Sequence, residues 1–197
     1  MADIEDVKRV AFFALMVLGP YVMHRMRRTG AARASREYPA LARELGLSLR
    51  AAEPGRIGAL SGDYDGYRVF VDPDDRARIV VYTHTEPRVV LRTFEHEKRV
   101  PNELVSATTP NRVAERFFKD CYAAEDVAHA LAERAGELEP LLRPFAERWP
   151  RTVRHLSITP ERLECELDFG RPTHIPEDVV KALLPAAVAL LRFVESL

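Results

Sequence analysis

The sequence predicts an α+β fold: an antiparallel sheet, built as a meander plus a C-terminal hairpin, is packed by helices and preceded by an N-terminal apolar helix. Three observations predict it. Short segments of alternating hydrophobicity, separated by turn residues, follow one another between residues 56 and 95. Residues 154–169 alternate on both sides of Thr159-Pro160-Glu161-Arg162, as a hairpin does. Residues 125–149 and 177–195 place apolar side chains at helical spacing. With 197 residues, 47% hydrophobic and 30% charged, the chain can bury a core without a metal or a disulfide, and no cofactor is expected. The same figures exclude a disordered or low-complexity chain and a polytopic membrane protein.

The first element is the run Val10–Met23, 14 residues without a charge and apolar on every face. Such a helix belongs in lipid or in a protein interior, because a surface helix shows polar residues every three or four positions. At 1.5 Å per residue the run covers about 21 Å, short of a hydrocarbon core of about 30 Å. Flanking Lys8, Arg9, Arg25 and Arg27 can snorkel and lengthen the effective span.

Charge is distributed unevenly around this run. The net charge of −1 is the sum of +4 over residues 1–36, with seven Lys/Arg against three acids, and −5 over the rest, with 22 basic and 27 acidic side chains. Arg25, Arg27, Arg28, Arg33 and Arg36 all follow the run, which by the positive-inside rule puts the N-terminus outside and the body in the cytoplasm, at the inner membrane. Phe12, Phe13, Leu15, Met16 and Leu18 are then the expected lipid contacts, with Arg25, Arg27 and Arg28 at anionic headgroups.

Two other uses of the segment remain open: a cleaved signal peptide, with Lys8-Arg9 before the run and Ala32-Arg33-Ala34 after it, or a core helix that assembles a soluble oligomer. Three arginines directly after the run oppose translocation. Nucleic acid is set aside as a partner, because the arm adjoins an apolar plug and only Tyr38 among stacking residues lies close after it. The chain accordingly divides into an apolar segment with its basic arm, 1–36, and a single α+β domain, 37–197.

Residues 31–48 predict a helix broken or restarted near Pro39, with Gly46 as its C-cap. Glu53-Pro54-Gly55 is a turn. Strands are expected over Arg56–Leu60, Tyr67–Val71, Arg78–Thr85 and Val89–Glu95, with turns at Ser61–Gly66, at Asp72–Asp75 and around Glu86-Pro87. Asn102–Asn111 is the longest expected loop, and Phe117–Ala123 fits a strand or a helix. Glu125–Ala135 is expected to be helical, with Val127 and Leu131 inward and Glu125, His129 and Glu133 outward. Leu138–Trp149 should add a second helix, limited by Pro140 and Pro144 and ended by Pro150.

The hairpin is specified in most detail. Pairing Thr159 with Arg162 sets Ile158 opposite Leu163 and Leu156 opposite Cys165 on the core face, and His155 opposite Glu166 on the polar face with Ser157, Glu164 and Asp168. Glu177–Glu195 is the last helix, with a kink expected at Pro185.

In layout, the N-terminal apolar segment, Leu41-Ala-Arg-Glu-Leu-Gly-Leu47, Gly62-x-Tyr64-x-Gly66-Tyr67-x-Val69, the hairpin and the apolar C-terminal helix resemble uncharacterised bacterial membrane-anchored proteins of unknown function. The resemblance implies an anchored α+β body and carries no catalytic residues.

Chemistry has few candidates. His84 and His96, with Glu86, Glu95 and Glu97, come nearest to a metal cluster; metal candidates are His84, His96 and Glu97, and a small metal-dependent or hydrolytic enzyme built on them is the alternative function. Asp63, Asp65, Asp72, Asp74 and Asp75 match turn chemistry better than a calcium loop. Cys121 and Cys165 have no metal or redox spacing and read as small buried hydrophobes, and Glu125, His129 and Glu133 as a solvated helix edge. No Walker loop and no Gly-x-Ser-x-Gly elbow occurs. The expected function is a membrane-anchored, non-enzymatic cytoplasmic domain that binds a protein partner or a second copy of itself.

Overall fold

The computed structural model describes residues 4–50, 57–73, 77–92, 103–107, 114, 117–118, 120–148, 152–169 and 174–197. Nine antiparallel strands form one sheet: β1 Ser48–Leu49, β2 Leu60–Tyr64, β3 Tyr67–Asp72, β4 Arg78–Tyr82, β5 Val89–Arg92, β6 Val105–Ser106, β7 Asp120–Ala123, β8 Val153–Ile158 and β9 Arg162–Leu167. The helices whose bounds lie among the described residues are α1 Ile4–Leu45, α2 Glu125–Glu133, α3 Ala135–Arg143 and α4 Glu177–Glu195, with a π-helical turn at Pro144–Arg148 after α3. The α+β class is as the sequence predicts.

Strand order is β1-β2-β3-β4-β9-β8-β5-β7-β6, so the C-terminal hairpin is inserted between two strands of the expected meander. The hairpin register is the one derived from alternation: Ile158 opposes Leu163, Leu156 opposes Cys165 and His155 opposes Glu166. Thr159 and Arg162 exchange backbone hydrogen bonds of 2.9 and 3.3 Å across the turn. One irregularity falls between Val153 and His155, where Val153 opposes Leu167.

The first strand differs from expectation. Ser61, Gly62 and Asp63 lie in β2, and the turn shrinks to Asp65-Gly66, with φ of 49° and 86°, the positive values a two-residue hairpin turn requires. Alternation is hidden in β2 because its inward position holds Gly62. A Cβ there would approach Leu47 Cδ2 at 3.2 Å, on a backbone with φ of 155°. Phe117–Ala123 resolves into strand β7 at Asp120–Ala123, and the expected loop contains β6.

Each of these helices contributes to the core on one face of the sheet. α4 buries ten residues, among them Val180, Leu183, Leu184, Ala187, Leu190 and Leu191, against strands that contribute Val69, Val71, Ile79, Val81, Leu163 and Cys165. Each large side chain so buried contributes about 1.5–3 kcal/mol. Pro185 is on the exposed side of α4, so the carbonyl that lacks a partner one turn earlier faces water. Val80 and Val90 are buried but belong to the opposite face, outside this cluster. That face holds Arg68, Phe70, Tyr82, Arg162, Glu164 and Glu166, and no described helix packs on it. The two edge strands, β1 and β6, are two residues each, which leaves little unpaired backbone for edge-to-edge association.

Candidate functional site

α1 is a single helix of 42 residues, continuous through Pro20 and Pro39. No break forms at Pro39, because Pro39 and Ser35 are both exposed and the Ser35 carbonyl that loses its helical partner can turn to water. The helix ends as expected: Gly46 has φ of 68°, its N–H donates to the Arg43 carbonyl, and the Leu47 N–H donates to the Ala42 carbonyl at 2.7 Å, which is a Schellman closure.

The C-terminal third of α1 is rooted in the body. Gly30, Ala34, Tyr38, Leu41 and Ala42 are buried, a spacing that puts them on one stripe of the helix. Small residues at the first two positions let α1 approach closely. The Tyr38 hydroxyl donates to the Ile175 carbonyl at 3.0 Å, and burial pushes its phenol far above the usual tyrosine range. Glu37 Oε2 is 2.9 Å from His174 Nε2, and His174 is itself buried and meets the Tyr38 ring edge-on at 6.4 Å. Lys181, in the first turns of α4, bridges Glu44 and Glu177. Among the described residues burial thus begins at Gly30, within the segment counted with the arm.

Upstream of Gly30 the described side chains are uncovered. Among residues 4–29 no described side chain is buried, and Phe12, Phe13, Met16, Leu18, Tyr21 and Val22 are 49–73% exposed. Four of the expected lipid-contact residues, Phe12, Phe13, Met16 and Leu18, are among these, and Arg25 and Arg28 are exposed too. Leu15 and Arg27 belong to the helix, but their side chains lie outside the described residues. Among the described residues, no helix is long and apolar enough to cross a membrane.

The chemical candidates do not converge. His84 is exposed, with its ring on Tyr67 at a centroid distance of 4.5 Å, while His96, Glu95 and Glu97 lie outside the described residues. Among the described residues no three His, Cys, Asp or Glu side chains come together in a metal-holding group. Cys121 and Cys165 are buried; desolvation pushes the Cys121 thiol up to about 11 and the Cys165 thiol higher still, which keeps both protonated and unreactive. His129 pairs with Glu133 at 3.2 Å on the exposed edge of α2. Asp65 occupies the β2–β3 turn and binds Arg192 at 2.9 Å, so it works in structure, and Asp74 and Asp75 lie outside the described residues. An open groove of about 930 Å³ runs beside α2, where Arg88 and Asp126 pair at 2.6 Å; Ser106 and His129 are among its lining residues.

Two junctions have no signature in the local sequence pattern. Glu195, at the end of α4, accepts from the Tyr67 hydroxyl at 2.7 Å and from the backbone N–H groups of His84 and Thr85 at 2.7 and 3.2 Å, tying the last helix to the loop after β4. His174 sits in the segment before α4, where nothing in the local pattern distinguishes it from a solvated loop residue.

No protein-family model matches the sequence, and no curated protein matches it. Among solved structures, the crystal structure of the mycobacterial trehalose monomycolate transport factor A, TtfA, is similar at a TM-score of 0.42 and 14% identity, over 88% of this chain and 93% of that chain.

Proposed function

We propose that this protein is a non-enzymatic domain attached to the cytoplasmic face of a membrane by α1, and that its body binds a protein partner or a second copy. The observation that carries the proposal is the exposure of the apolar run. Phe12, Phe13, Met16, Leu18, Tyr21 and Val22 stand on a helix whose first buried residue, among the described ones, is Gly30, and the body does not cover them. A contiguous apolar surface of this kind marks a membrane or protein contact. Arginines directly after the run favour an anionic inner leaflet as its neighbour. For the body, the face of the sheet on which no described helix packs is the contact surface, with Tyr82 37% exposed beneath the Arg68 guanidinium.

The test is fractionation of the full chain against one that starts at Gly30, a cut that keeps Ala34 and Tyr38 in the core. The full chain should pellet with membranes and be released by detergent but not by salt alone, and the shortened chain should be soluble. A full chain that stays in the soluble fraction as an oligomer would show that the apolar run assembles copies of the protein, and equal solubility as monomers would refute both.

A further inference from the structure

Between Arg25 and Arg43 the face of α1 turned from the body carries arginines and no acidic residue. From His24 to Arg43 the sequence holds six arginines and one acid, Glu37. Glu37 is turned toward the body, where His174 engages it. Arg25, Arg36 and Arg43 are separated by 11 and 7 residues, which at 3.6 residues per turn puts them on nearly one line, and Leu41, 16 residues from Arg25, falls about 160° away from it. Because Leu41 is fully buried against the body, that line faces directly away from the body. Arg28 and Arg33 flank it on either side.

Arg25, Arg28, Arg33, Arg36 and Arg43 are all exposed, and among the described residues none is paired with a carboxylate; Arg43 donates only to the Pro39 carbonyl of its own helix. The stripe is about 27 Å long, from 18 residues at 1.5 Å each. Were α1 upright through a bilayer, Arg43 would stand several screening lengths beyond the headgroups that Arg25 meets, since screening acts over about 8–10 Å. A helix resting along the surface brings every arginine to the phosphates.

We infer that α1 lies along an anionic bilayer surface, with the apolar side chains of residues 10–23 below the headgroups, the arginine stripe from Arg25 to Arg43 against the lipid phosphates, and the body turned toward water. The inference rests on the membrane attachment proposed above and adds the lipid class and the orientation. The stripe continues directly from the exposed apolar run, the run is too short to cross, and the stripe has no acidic residue to offset it. Lys8 and Arg9, before the run, then stay at the same interface, and both ends of α1 remain on the cytoplasmic side.

The experiment uses full-length protein and vesicles of phosphatidylcholine with or without phosphatidylglycerol, comparing wild type with the triple variant Arg33→Ala, Arg36→Ala, Arg43→Ala. Each arginine near an anionic surface strengthens binding roughly fivefold. The variant should therefore bind phosphatidylglycerol vesicles on the order of a hundredfold more weakly, with unchanged binding to pure phosphatidylcholine and an unchanged circular dichroism spectrum. A peptide tag before Met1 should remain accessible to protease added on the body's side. Equal binding of wild type and variant to anionic vesicles, or a protected tag, would overturn the inference and leave membrane attachment standing. Failure of wild type to bind either vesicle would overturn both. Preference of the stripe for a short duplex DNA over anionic vesicles, lost in the variant, would assign it to nucleic acid and overturn the lipid partner.

Discussion

Replacing Tyr38 separates what its ring and its hydroxyl contribute to holding α1 on the body. The side chain is 1% exposed, its hydroxyl donates to the Ile175 carbonyl at 3.0 Å, and its ring meets His174 edge-on. Tyr38→Phe keeps the ring and strands a buried carbonyl, which costs about 1–2 kcal/mol. Tyr38→Ala also opens a cavity the size of an aromatic ring, for about 3–5 kcal/mol in total. Against a domain stability of about 5–15 kcal/mol, the second change removes a large fraction. Urea unfolding of the chain that starts at Gly30 measures both, and hydrogen exchange over residues 30–47 shows whether the root of α1 detaches before the rest. A Tyr38→Ala loss below about 1.5 kcal/mol, with unchanged protection of that segment, would refute the inclusion of the α1 root in the cooperative core.

Other outcomes follow from the same contacts. Glu195→Ala should destabilise by about 2 kcal/mol, because a charged acceptor of three hydrogen bonds is lost at a partly exposed site, and it should couple with Tyr67→Phe in a double-mutant cycle read by urea unfolding. Gly46→Ala should cost about 1 kcal/mol in the same assay, since φ of 68° closes α1. Neither cysteine should react with a thiol reagent in the native protein at neutral pH, and both should on unfolding. The Cys121 thiol ionises near 9 when unfolded and at about 11 when folded, so its contribution to stability is complete below pH 9 and lost as pH rises through 11; an alkaline loss of stability diminished in Cys121→Ala checks the sign.

Legibility in the sequence varied with how local each feature is. The register of the 153–167 hairpin could be read residue by residue, because a two-residue period and a Pro-containing turn together admit one pairing that buries Leu156, Ile158, Leu163 and Cys165. The bounds of α4 coincide with Glu177–Glu195 for a similar reason: Pro176 precedes the first turn, and the apolar stripe persists to the end of the chain. β2 was misplaced because Gly62 occupies an inward position, where periodicity expects a large apolar residue. Pro39 predicts a break that does not form, because its exposure, which makes it tolerable within a helix, comes from docking and cannot be read from its neighbours.

The candidate site divides in the same way. The sequence by itself determined that a 14-residue apolar run is followed by arginines, and that β8 and β9 pair with a fixed face toward the core. Only the tertiary structure decided that the hairpin enters the sheet between β4 and β5, that the described side chains of the run are uncovered, and that Glu37 turns to His174 while the described arginines turn outward. Spacing along the chain fixes which side chains share a face of one element. Which face is hidden depends on how separate elements pack, and that choice is set by the fit of surfaces distant in sequence.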